Sequence, residues 1–472
     1  MFPRFVSNIV SWRSVAVLGL LAAILQVVNM FLSWQLRLRD QESAFATSSA
    51  SIVASRVIDP SYAGRSSASL RAASGSGTAY LRNRDFHLGP KISDDHSAVL
   101  TRIAHWSVLD SSGEFRVAMG VMRGLGGAQG DGPYDKADMM EGEVESYSSS
   151  ELTLVTQCSF GHLHKLPRLT NNWQGPISIA VFAMSGEVQA VVQTFHLLRR
   201  CHSGIYNNVT FSLVFPLNSP TSPHITPTAD TTPCDQIFEQ QIQTNYEFGG
   251  IHYPNNLLRN IARKATNTEL ILVLDIDMIP SHGLHTYFMK YASDNNIFKE
   301  HLSEEKTAWV LPAFEIQNGN EFPKTKKDLL SLKEKELVRP FYSELCFKCQ
   351  KYTDYPSWEK KQNIDMEKVS PLYEVLWQDP WEPFYIARNG IPLYDERFRQ
   401  YGFNRISQVC ELHIAGFRFL VLDSGFVLHE GFKTANGFHK AKDMQQEANR
   451  MLFRQFKQDL KEKYKDSSRR CY

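Results

Sequence analysis

The stretch Leu270–Asp277, LILVLDID, is the most informative part of this 472-residue chain, because a run of apolar residues ends there in two carboxylates. Five consecutive apolar residues, Leu270–Leu274, predict a strand buried on both faces of a sheet. Asp275 and Asp277 follow at the strand end, where a buried, unpaired carboxylate would be costly. Hard divalent ions such as Mg²⁺ and Mn²⁺ take oxygen ligands and bridge carboxylates to phosphates. We therefore predict a divalent metal site at these two residues rather than an ordinary loop cap.

The residues around this strand alternate between strand and helix patterns. Buried strands are predicted at 152–156, 177–182, 209–215 and 269–274, helices at 186–200 and 255–265, and an opening hairpin at 106–109 with 114–117. This βαβ rhythm predicts an α/β fold with a largely parallel central sheet. In such sheets ligands bind at the carboxyl ends of the strands, which is where the two aspartates lie.

An uncharged stretch near the N-terminus, Val15–Trp34, is long enough to cross a bilayer as one helix. A cleaved signal peptide is the alternative, but its apolar centre should be shorter and followed by small residues, whereas this run continues into the bulky Met30–Leu32. A Ser-, Ala- and Gly-rich stretch follows it, typical of a flexible stalk. The predicted segments are a cytoplasmic tail at 1–14, a transmembrane signal-anchor at 15–36, a flexible lumenal stalk at 37–104 and a folded domain at 105–472.

Charge and cysteine content limit the class of protein. The chain has 51 basic and 50 acidic residues, a balance that gives no indication of a nucleic-acid-binding surface. All seven cysteines follow the predicted anchor, so in an oxidising lumen most should pair and at least one should stay free. Cys346 and Cys349 form a lone CxxC, for which a structural disulfide is expected rather than zinc. Asn208 opens the sequon Asn208–Thr210 and is an expected N-glycan acceptor if this part of the chain is lumenal.

A second polar constellation lies towards the C-terminus. Strands are predicted at 417–422 and 426–429, so His429 ends the second of them. An imidazole at that position is either a third metal ligand or a hydrogen-bonded structural histidine. The sequence pattern alone favours the structural role.

An aromatic, proline-rich loop, Trp377–Phe384, lies between these regions. We expect it either to present a sugar-stacking face beside a carboxylate base or to be an ordinary packed loop. A helix follows at 406–414, with Glu411 off its apolar face and directed to solvent or to the site.

Six stretches of the chain resemble glycosyltransferase family 49. They are Tyr253–Arg263, Leu272–Leu284, Val338–Gln350, Trp377–Ala387, Asp395–Phe417 and Gly425–Lys433. The similarity runs from about Trp106 to the C-terminus and is closest to a single-domain member of the family. The resemblance implies that 105–472 is a GT-A type catalytic domain. It also implies a single-pass type II protein of the Golgi membrane with this domain in the lumen.

The resemblance further implies an activity. It is the metal-dependent, inverting transfer of glucuronic acid from UDP-glucuronic acid to a xylose acceptor in β-1,4 linkage. This reaction would prime O-mannosyl glycan (matriglycan) synthesis on α-dystroglycan-like glycoproteins, with a LARGE-type glycosyltransferase as a candidate partner. The implied cofactor is Mn²⁺, held by Asp275, Asp277 and His429. The resemblance thus reverses the structural interpretation of His429.

Inversion requires a base that takes the proton of the acceptor hydroxyl. Many inverting GT-A enzymes carry a Glu-Asp pair where this chain has Asn404 and Arg405, so the pattern does not assign the base. The candidate bases are Glu382, Asp379 and Glu411, with Glu382 placed first. The candidates for binding the donor carboxylate through a planar guanidinium are Arg259, Arg388 and Arg405.

Two other functions are compatible with these motifs. The same scaffold could be an N-acetylglucosaminyltransferase acting on poly-N-acetyllactosamine. It could also be a non-catalytic lumenal partner of such enzymes, although a partner has no need of Asp275, Asp277 and His429.

Overall fold

A ten-stranded sheet forms the centre of the computed structural model. The structure describes residues 95–125, 149–218, 229, 231–238, 250–299, 306–361, 368–434 and 442–471. Its strands, in chain order, are β1 (Val108–Leu109), β2 (Phe115–Met122), β3 (Ser149–Ser159), β4 (Ile177–Phe182), β5 (Val209–Pro216), β6 (Thr268–Val273), β7 (Met278–Pro280), β8 (Thr307–Leu311), β9 (Ala313–Ile316), β10 (Val338–Pro340), β11 (Pro371–Val375), β12 (Phe384–Arg388), β13 (Arg418–Leu422) and β14 (Val427–Glu430). The large sheet has the order β1-β2-β5-β4-β3-β6-β12-β8-β13-β11, and the other four strands form a small sheet.

The large sheet is mixed, so the prediction of a largely parallel sheet is wrong. The parallel block is β5-β4-β3-β6, with a further parallel pair between β8 and β13. β12 runs antiparallel to both of its neighbours, β6 and β8. Four residues of β12, Phe384–Ala387, are buried, and a continuous apolar run of this kind fits either strand direction. The α/β class, the opening hairpin of β1 and β2, and the predicted strands are present in the structure.

Helices cover the sheet. In chain order they are α1 (His96–Trp106), α2 (Leu166–Asn172), α3 (Val188–Cys201), α4 (Ser203–Asn208), α5 (Asn255–Lys264), α6 (Leu284–Asp294), α7 (Lys326–Glu334), α8 (Phe347–Gln350), α9 (Tyr355–Lys360), α10 (Ile406–Ile414) and α11 (Lys442–Lys463). α5 is buried on two faces: Leu258 and Ala262 belong to the hydrophobic core, whereas Asn256 and Asn260 donate hydrogen bonds to the segment 394–404. These bonds fix the segment that precedes α10 against α5.

The small sheet brings two distant parts of the chain together. Its order is β10-β9-β14-β7. β14 runs antiparallel to β7, and His429 pairs with Met278 in that register. Because Asp277 directly precedes β7, this pairing places His429 beside the second aspartate.

The packed domain begins before the predicted boundary at residue 105, which corrects the assignment of 37–104 as stalk. Asp95 accepts a hydrogen bond from the Ala98 backbone amide and so caps α1. Val99 and Ile103, one turn apart on α1, are buried in the core. Residues 1–94, which contain the predicted tail, the anchor and most of the stalk, lie outside the described residues. Within the described ranges, no helix is long and apolar enough to span a bilayer.

Three disulfides join the cysteines as expected from their number. They are Cys201–Cys234, Cys346–Cys349 and Cys410–Cys471, and Cys158 is a free, buried thiol. The CxxC is therefore a disulfide and not half of a zinc site.

Candidate active site

A cleft of about 200 Å³ opens at the carboxyl ends of the parallel strands β3 and β6. It is lined by Gln157, Cys158, Ser159, His162, Lys165, Tyr253, Asp275, Ile276, Asp277, Met278, Phe341, Tyr342, His429 and Lys433. The two aspartates follow β6, and His429 reaches the cleft from β14. The structure thus brings Asp275, Asp277 and His429 to one cleft.

Asp275 is held by two arginines. Arg259 donates from Nη2 to its Oδ1 at 2.9 Å, and Arg405 donates from Nη2 to its Oδ2 at 2.7 Å. Gln157 adds a longer bond of 3.2 Å to Oδ1. Burial would raise the pKa of Asp275, but the Arg405 and Arg259 guanidinium groups hold this pKa down at about 2. Asp275 is therefore a permanent carboxylate that orients both arginines.

Asp277 faces the imidazole of His429 and two lysines. The His429 Nε2 lies 3.1 Å from the Asp277 Oδ2, and the His429 Nδ1 donates to the Gly431 carbonyl at 2.8 Å. Lys433 and Lys165 place their Nζ atoms 3.7 and 3.9 Å from the same oxygen. Burial opposes ionisation, yet the His429 hydrogen bond and the nearby lysines depress the pKa of Asp277 well below its ordinary value. Asp277 is therefore also ionised.

The pair of Asp277 and His429 fits a divalent cation. The Gly431 carbonyl can only accept a hydrogen bond, so Nδ1 of His429 carries the hydrogen of that bond. The other ring nitrogen, Nε2, either carries a second hydrogen and donates it to Asp277, or has a free lone pair that can bind a cation together with Asp277. Neighbouring ligands of an octahedral ion with bonds of about 2.1 Å lie about 3.0 Å apart, close to the observed Oδ2–Nε2 distance. Over the described part of the chain, no group of three His, Cys, Asp or Glu side chains forms a metal-binding cluster. Asp275, the remaining predicted ligand, is turned to its arginines.

Glu382 lies near this charged centre. Its backbone amide donates to the Cys349 carbonyl at 2.9 Å, and the buried Gln350 side chain donates to its carbonyl at 3.0 Å. Burial raises the pKa of Glu382 to about 7, against the opposing effect of Arg405, while Asp275 raises the pKa further. A carboxyl with this pKa is able to gain and lose a proton near neutral pH.

The other two candidate bases lie elsewhere. The Glu411 carboxylate accepts hydrogen bonds from Lys463 Nζ at 2.8 Å and from the Tyr464 hydroxyl at 2.9 Å, so it joins α10 to the C-terminal helix α11. Burial raises the pKa of Asp379, and the charged group that opposes this shift is Lys457 on α11, whereas the charged groups that act on Glu382 are Arg405, Asp275 and Arg259. The structure therefore separates Glu382 from both alternatives.

The loop Trp377–Phe384 is a packed loop rather than a sugar-stacking face. Trp377 and Trp381 are buried at 4% and 0% exposure. Their indole N–H groups donate to the Trp381 carbonyl and to the Thr353 hydroxyl, respectively. No face of either ring is left for a ligand, and the loop serves to place Glu382.

Two of the three candidate donor-binding arginines reach the site. Arg259 and Arg405 meet at Asp275, and the Arg405 guanidinium lies 4.2 Å from the centre of the Phe384 ring. Arg388 instead pairs with Glu269, near the opposite end of β6, and donates to the Ile297 carbonyl. The predicted glycan acceptor Asn208 is partly exposed and ends α4.

Other residues of the site were not found from the sequence. Lys165, at the end of a 3-10 turn, and Lys433, in a loop, are single charges that give no distinguishing sequence pattern. Glu315 does give one, since it is an acid within the buried strand β9, where its side chain is fully buried. Its carboxylate accepts from the backbone amides of Tyr342 at 2.8 Å and Lys433 at 3.1 Å, and from Arg339 Nε at 2.9 Å. Glu315 thus anchors both segments that carry the cleft wall.

The chain is similar to known glycosyltransferases. The family model described as a glycosyl-transferase for dystroglycan matches residues 151–465. Beta-1,4-glucuronyltransferase 1 of Homo sapiens is 39% identical over 402 residues, which cover 82% of this chain and 88% of that protein. Xylosyl- and glucuronyltransferase LARGE1 of Homo sapiens is 26% identical over 322 residues, or 67% of this chain and 36% of LARGE1.

A solved structure gives a more distant likeness. The crystal structure of GalNAc-T7 with UDP, GalNAc and Mn²⁺ matches with a TM-score of 0.33 and 8% identity, over 61% of this chain and 45% of that chain. That likeness is too remote to inform the site. The family match covers most of the described residues and includes the whole cleft. This chain is therefore a glycosyltransferase and belongs to glycosyltransferase family 49.

Proposed function

We propose that this enzyme transfers glucuronic acid from UDP-glucuronic acid to a xylose acceptor in β-1,4 linkage, with inversion. The reaction would prime O-mannosyl glycan synthesis on α-dystroglycan-like glycoproteins, with a LARGE-type enzyme as partner. The observation that carries the proposal is the cleft, in which Asp277 and His429 face each other, together with the partly buried Glu382 beside the Asp275–Arg405 pair. The 39% identity to beta-1,4-glucuronyltransferase 1 supports the choice of sugar.

The proposed metal ion is Mn²⁺, with Asp277 and His429 as its protein ligands. When bound, it would act as a Lewis acid that stabilises negative charge on the departing nucleoside diphosphate. Asp275 contributes by holding Arg259 and Arg405 in place. His429 is kept in the correct tautomer by its bond to the Gly431 carbonyl, a contact that commonly orients a metal-binding imidazole.

Glu382 is the proposed base. The acceptor hydroxyl oxygen forms a bond to C1 of the glucuronate while the C1–O bond to UDP breaks, and the leaving electron pair stays on the diphosphate. The hydroxyl proton passes to Glu382, whose raised pKa suits it to accept that proton near neutral pH. A single displacement of this kind inverts the configuration at C1.

Arg405 is the proposed contact for the donor carboxylate. The one hydrogen bond that its guanidinium makes among the described residues goes to Asp275, and stacking on Phe384 fixes the guanidinium plane. Arg259, by contrast, is 2% exposed and divides its hydrogen bonds among Asp275, Asn256 and Asn404. A planar guanidinium held beside Asp275, which lines the cleft, suits a carboxylate-bearing sugar.

The proposed location is the Golgi membrane, with a type II topology and the catalytic domain in the lumen. Three disulfides support an oxidising compartment. The partly exposed Asn208 gives a direct test, because a glycan can be added there only in the secretory lumen. We expect the expressed chain to lose mass on treatment with an N-glycosidase, and the Asn208→Gln variant to show no such loss.

The activity is tested with the purified full-length chain in detergent. It is incubated with Mn²⁺, a panel of UDP-sugars and a β-xyloside, and products are read by mass. Gain of one glucuronic acid, abolished by a chelator, is the expected result. Gain from UDP-N-acetylglucosamine on a galactoside would instead identify an N-acetylglucosaminyltransferase. Absence of transfer from every donor by folded protein would favour a non-catalytic role.

A further inference from the structure

Two lysines that line the cleft lie near Asp277 without forming a hydrogen bond to it. Their Nζ atoms lie 3.7 Å (Lys433) and 3.9 Å (Lys165) from Oδ2, beyond hydrogen-bond distance. Over the described residues, neither ammonium group has a closer acidic partner. Each side chain is about one third exposed, so both can reach a molecule in the cleft.

The backbone around both lysines is anchored. The Lys433 amide donates to the buried Glu315 at 3.1 Å, and its carbonyl accepts from Arg339 Nη2 at 3.0 Å. Lys165 ends the 3-10 turn Phe160–Lys165, directly before α2. These ammonium groups are therefore carried on fixed backbone rather than on mobile surface loops.

The charges around Asp277 do not balance once a metal ion is added. Asp275 is already neutralised by its two arginines, which leaves one carboxylate, Asp277, to offset two ammonium groups. A dication held by Asp277 and His429 would lie within a few ångströms of both lysines, and like charges at that separation repel strongly in a partly desolvated cleft. An anion that contacts the metal ion and the lysines together removes this repulsion.

We propose that Lys165 and Lys433 bind the diphosphate of the donor and oppose metal binding until the nucleotide arrives. In the free enzyme the lysines act as counter-ions of Asp277. When a nucleoside diphosphate binds, they turn to its phosphoryl oxygens and leave Asp277 to the metal ion. Metal ion and nucleotide then bind cooperatively, so that neither is held tightly alone. This inference rests on the proposed metal- and nucleotide-dependent function.

The test measures binding rather than turnover. Mn²⁺ is titrated into the full-length protein with and without UDP, and free Mn²⁺ is read from its electron paramagnetic resonance signal. We compare wild type with Lys433→Gln and Lys165→Gln. Lys461→Gln is the matched control, because Lys461 is exposed on α11 and does not line the cleft. UDP affinity at saturating Mn²⁺ is measured by calorimetry on the same samples.

The two affinities should change in opposite directions. Without UDP, each cleft variant should bind Mn²⁺ about 3- to 10-fold more tightly than wild type, because one repelling charge is gone. At saturating Mn²⁺, the same variant should bind UDP more weakly by a similar factor, so the coupling between the ligands falls. The control variant should match wild type in both measurements.

Two results would overturn the inference, and they are distinguishable. If wild type shows mutual strengthening of Mn²⁺ and UDP binding and the lysine variants keep the same coupling factor, the lysines do not carry it, and the proposed function stands. If wild type binds UDP with equal affinity with and without Mn²⁺, the metal-dependent function itself fails, and the inference fails with it.

Discussion

Glu382 has a task that depends on its charge state, because only an ionised carboxylate can accept the acceptor's proton. Its pKa of about 7 means that the protonated form dominates at lower pH. We expect kcat/KM of the wild-type enzyme to fall about tenfold per unit as the pH drops below that value. Glu382→Gln should lower kcat by about 10²- to 10⁴-fold at neutral pH. Steady-state kinetics on product mass, with thermal unfolding alongside, check both expectations.

Glu411→Gln provides the matched control for that experiment. Glu411 was an equally acidic candidate in the sequence, but its carboxylate bonds to Lys463 and Tyr464. This variant should lower the unfolding temperature and keep kcat near the wild-type value. A loss of turnover in Glu411→Gln with an active Glu382→Gln would mean that the base is misassigned.

The two aspartates should differ in what they do for stability. Asp275→Asn leaves Arg259 and Arg405, which are 2% and 8% exposed, without their ionic partner. Removing one partner of a fully buried ion pair costs about 3–5 kcal/mol. Because the Asp275 side chain is 33% exposed, solvent screens the loss, and we expect a smaller decrease of about 2–3 kcal/mol in the free energy of unfolding. Asp277→Asn should cost less, since Lys165 and Lys433 are partly exposed and remain hydrated. Urea denaturation of the two variants, each expected to be inactive, gives the comparison.

Acid unfolding follows from the same ion pairs. The pKa of Asp275 is about 2 in the folded chain, against an ordinary value of 3.8. A depressed carboxyl pKa contributes stability that is complete above the ordinary value and is lost as the pH falls towards the folded value. We therefore expect wild type to lose stability between about pH 4 and pH 2, and Asp275→Asn to show a shallower dependence there. Equal slopes for both proteins would assign the acid transition to other carboxyls.

Strand β9 shows how one buried side chain organises neighbouring elements. Glu315 pairs in register with His429 of β14 and accepts from the backbone amides of Tyr342 and Lys433. Glu315→Gln replaces one carboxylate oxygen, an acceptor, with an amide NH₂ group, a donor. That group would face the N–H donors that now bind the carboxylate, so we expect a loss of about 3 kcal/mol in unfolding free energy. It should also weaken UDP binding, because Lys433 loses its anchor. Denaturation and calorimetry on the same variant measure both effects.

Glu344→Gln is the control for Glu315→Gln, because both acids contact Arg339. Glu344 does so at 3.4 Å with a side chain that is 45% exposed. Exposed ion pairs of this kind contribute about 0–1 kcal/mol. A large loss in both variants would assign the effect to Arg339 rather than to the buried anchor.

The elements of this fold were predictable where the local pattern was strong. The strand at 177–182 was predicted with the bounds that β4 has, because ISIAVF is an uninterrupted apolar run. By contrast, β12 is not predicted from the sequence: only its first residue, Phe384, was assigned, as the end of the aromatic loop, and the antiparallel insertion of β12 between β6 and β8 was missed. A run of apolar residues indicates that a strand is buried, but it does not indicate which strands lie beside it or in which direction they run. Those properties depend on pairing across the sheet.

The site was predictable only in part, because it is assembled from distant segments. Asp275 and Asp277 carried a local signal at the end of a buried strand. His429 meets Asp277 from 152 positions away through the pairing of β14 with β7, and only the family resemblance indicated this contact. Lys165 and Lys433 resemble any surface lysine until the fold places them beside Asp277.

Two of the disulfides should differ in their effects: one should contribute mainly to stability and the other mainly to catalysis. Cys410–Cys471 spans 61 positions and joins α10 to the C-terminal end of the chain, whereas Cys346–Cys349 spans 3. Loop-closure entropy predicts that removing the long link costs about 4 kcal/mol and removing the short one about 1.5 kcal/mol. The short link, however, fixes Cys349, whose carbonyl holds the Glu382 amide.

We therefore expect two double variants to rank in opposite order for the loss of stability and for the loss of kcat. Cys410→Ser with Cys471→Ser should lower the unfolding free energy more, yet keep kcat near wild type while the protein is folded, because among the described residues no hydrogen bond joins either cysteine to Glu382. Cys346→Ser with Cys349→Ser should lose less stability but more kcat, because the backbone that places the base is loosened. Urea denaturation and kinetics at a temperature well below both unfolding transitions separate the two effects. If kcat followed stability in both variants, the CxxC would serve only folding, and the placement of Glu382 would not depend on it.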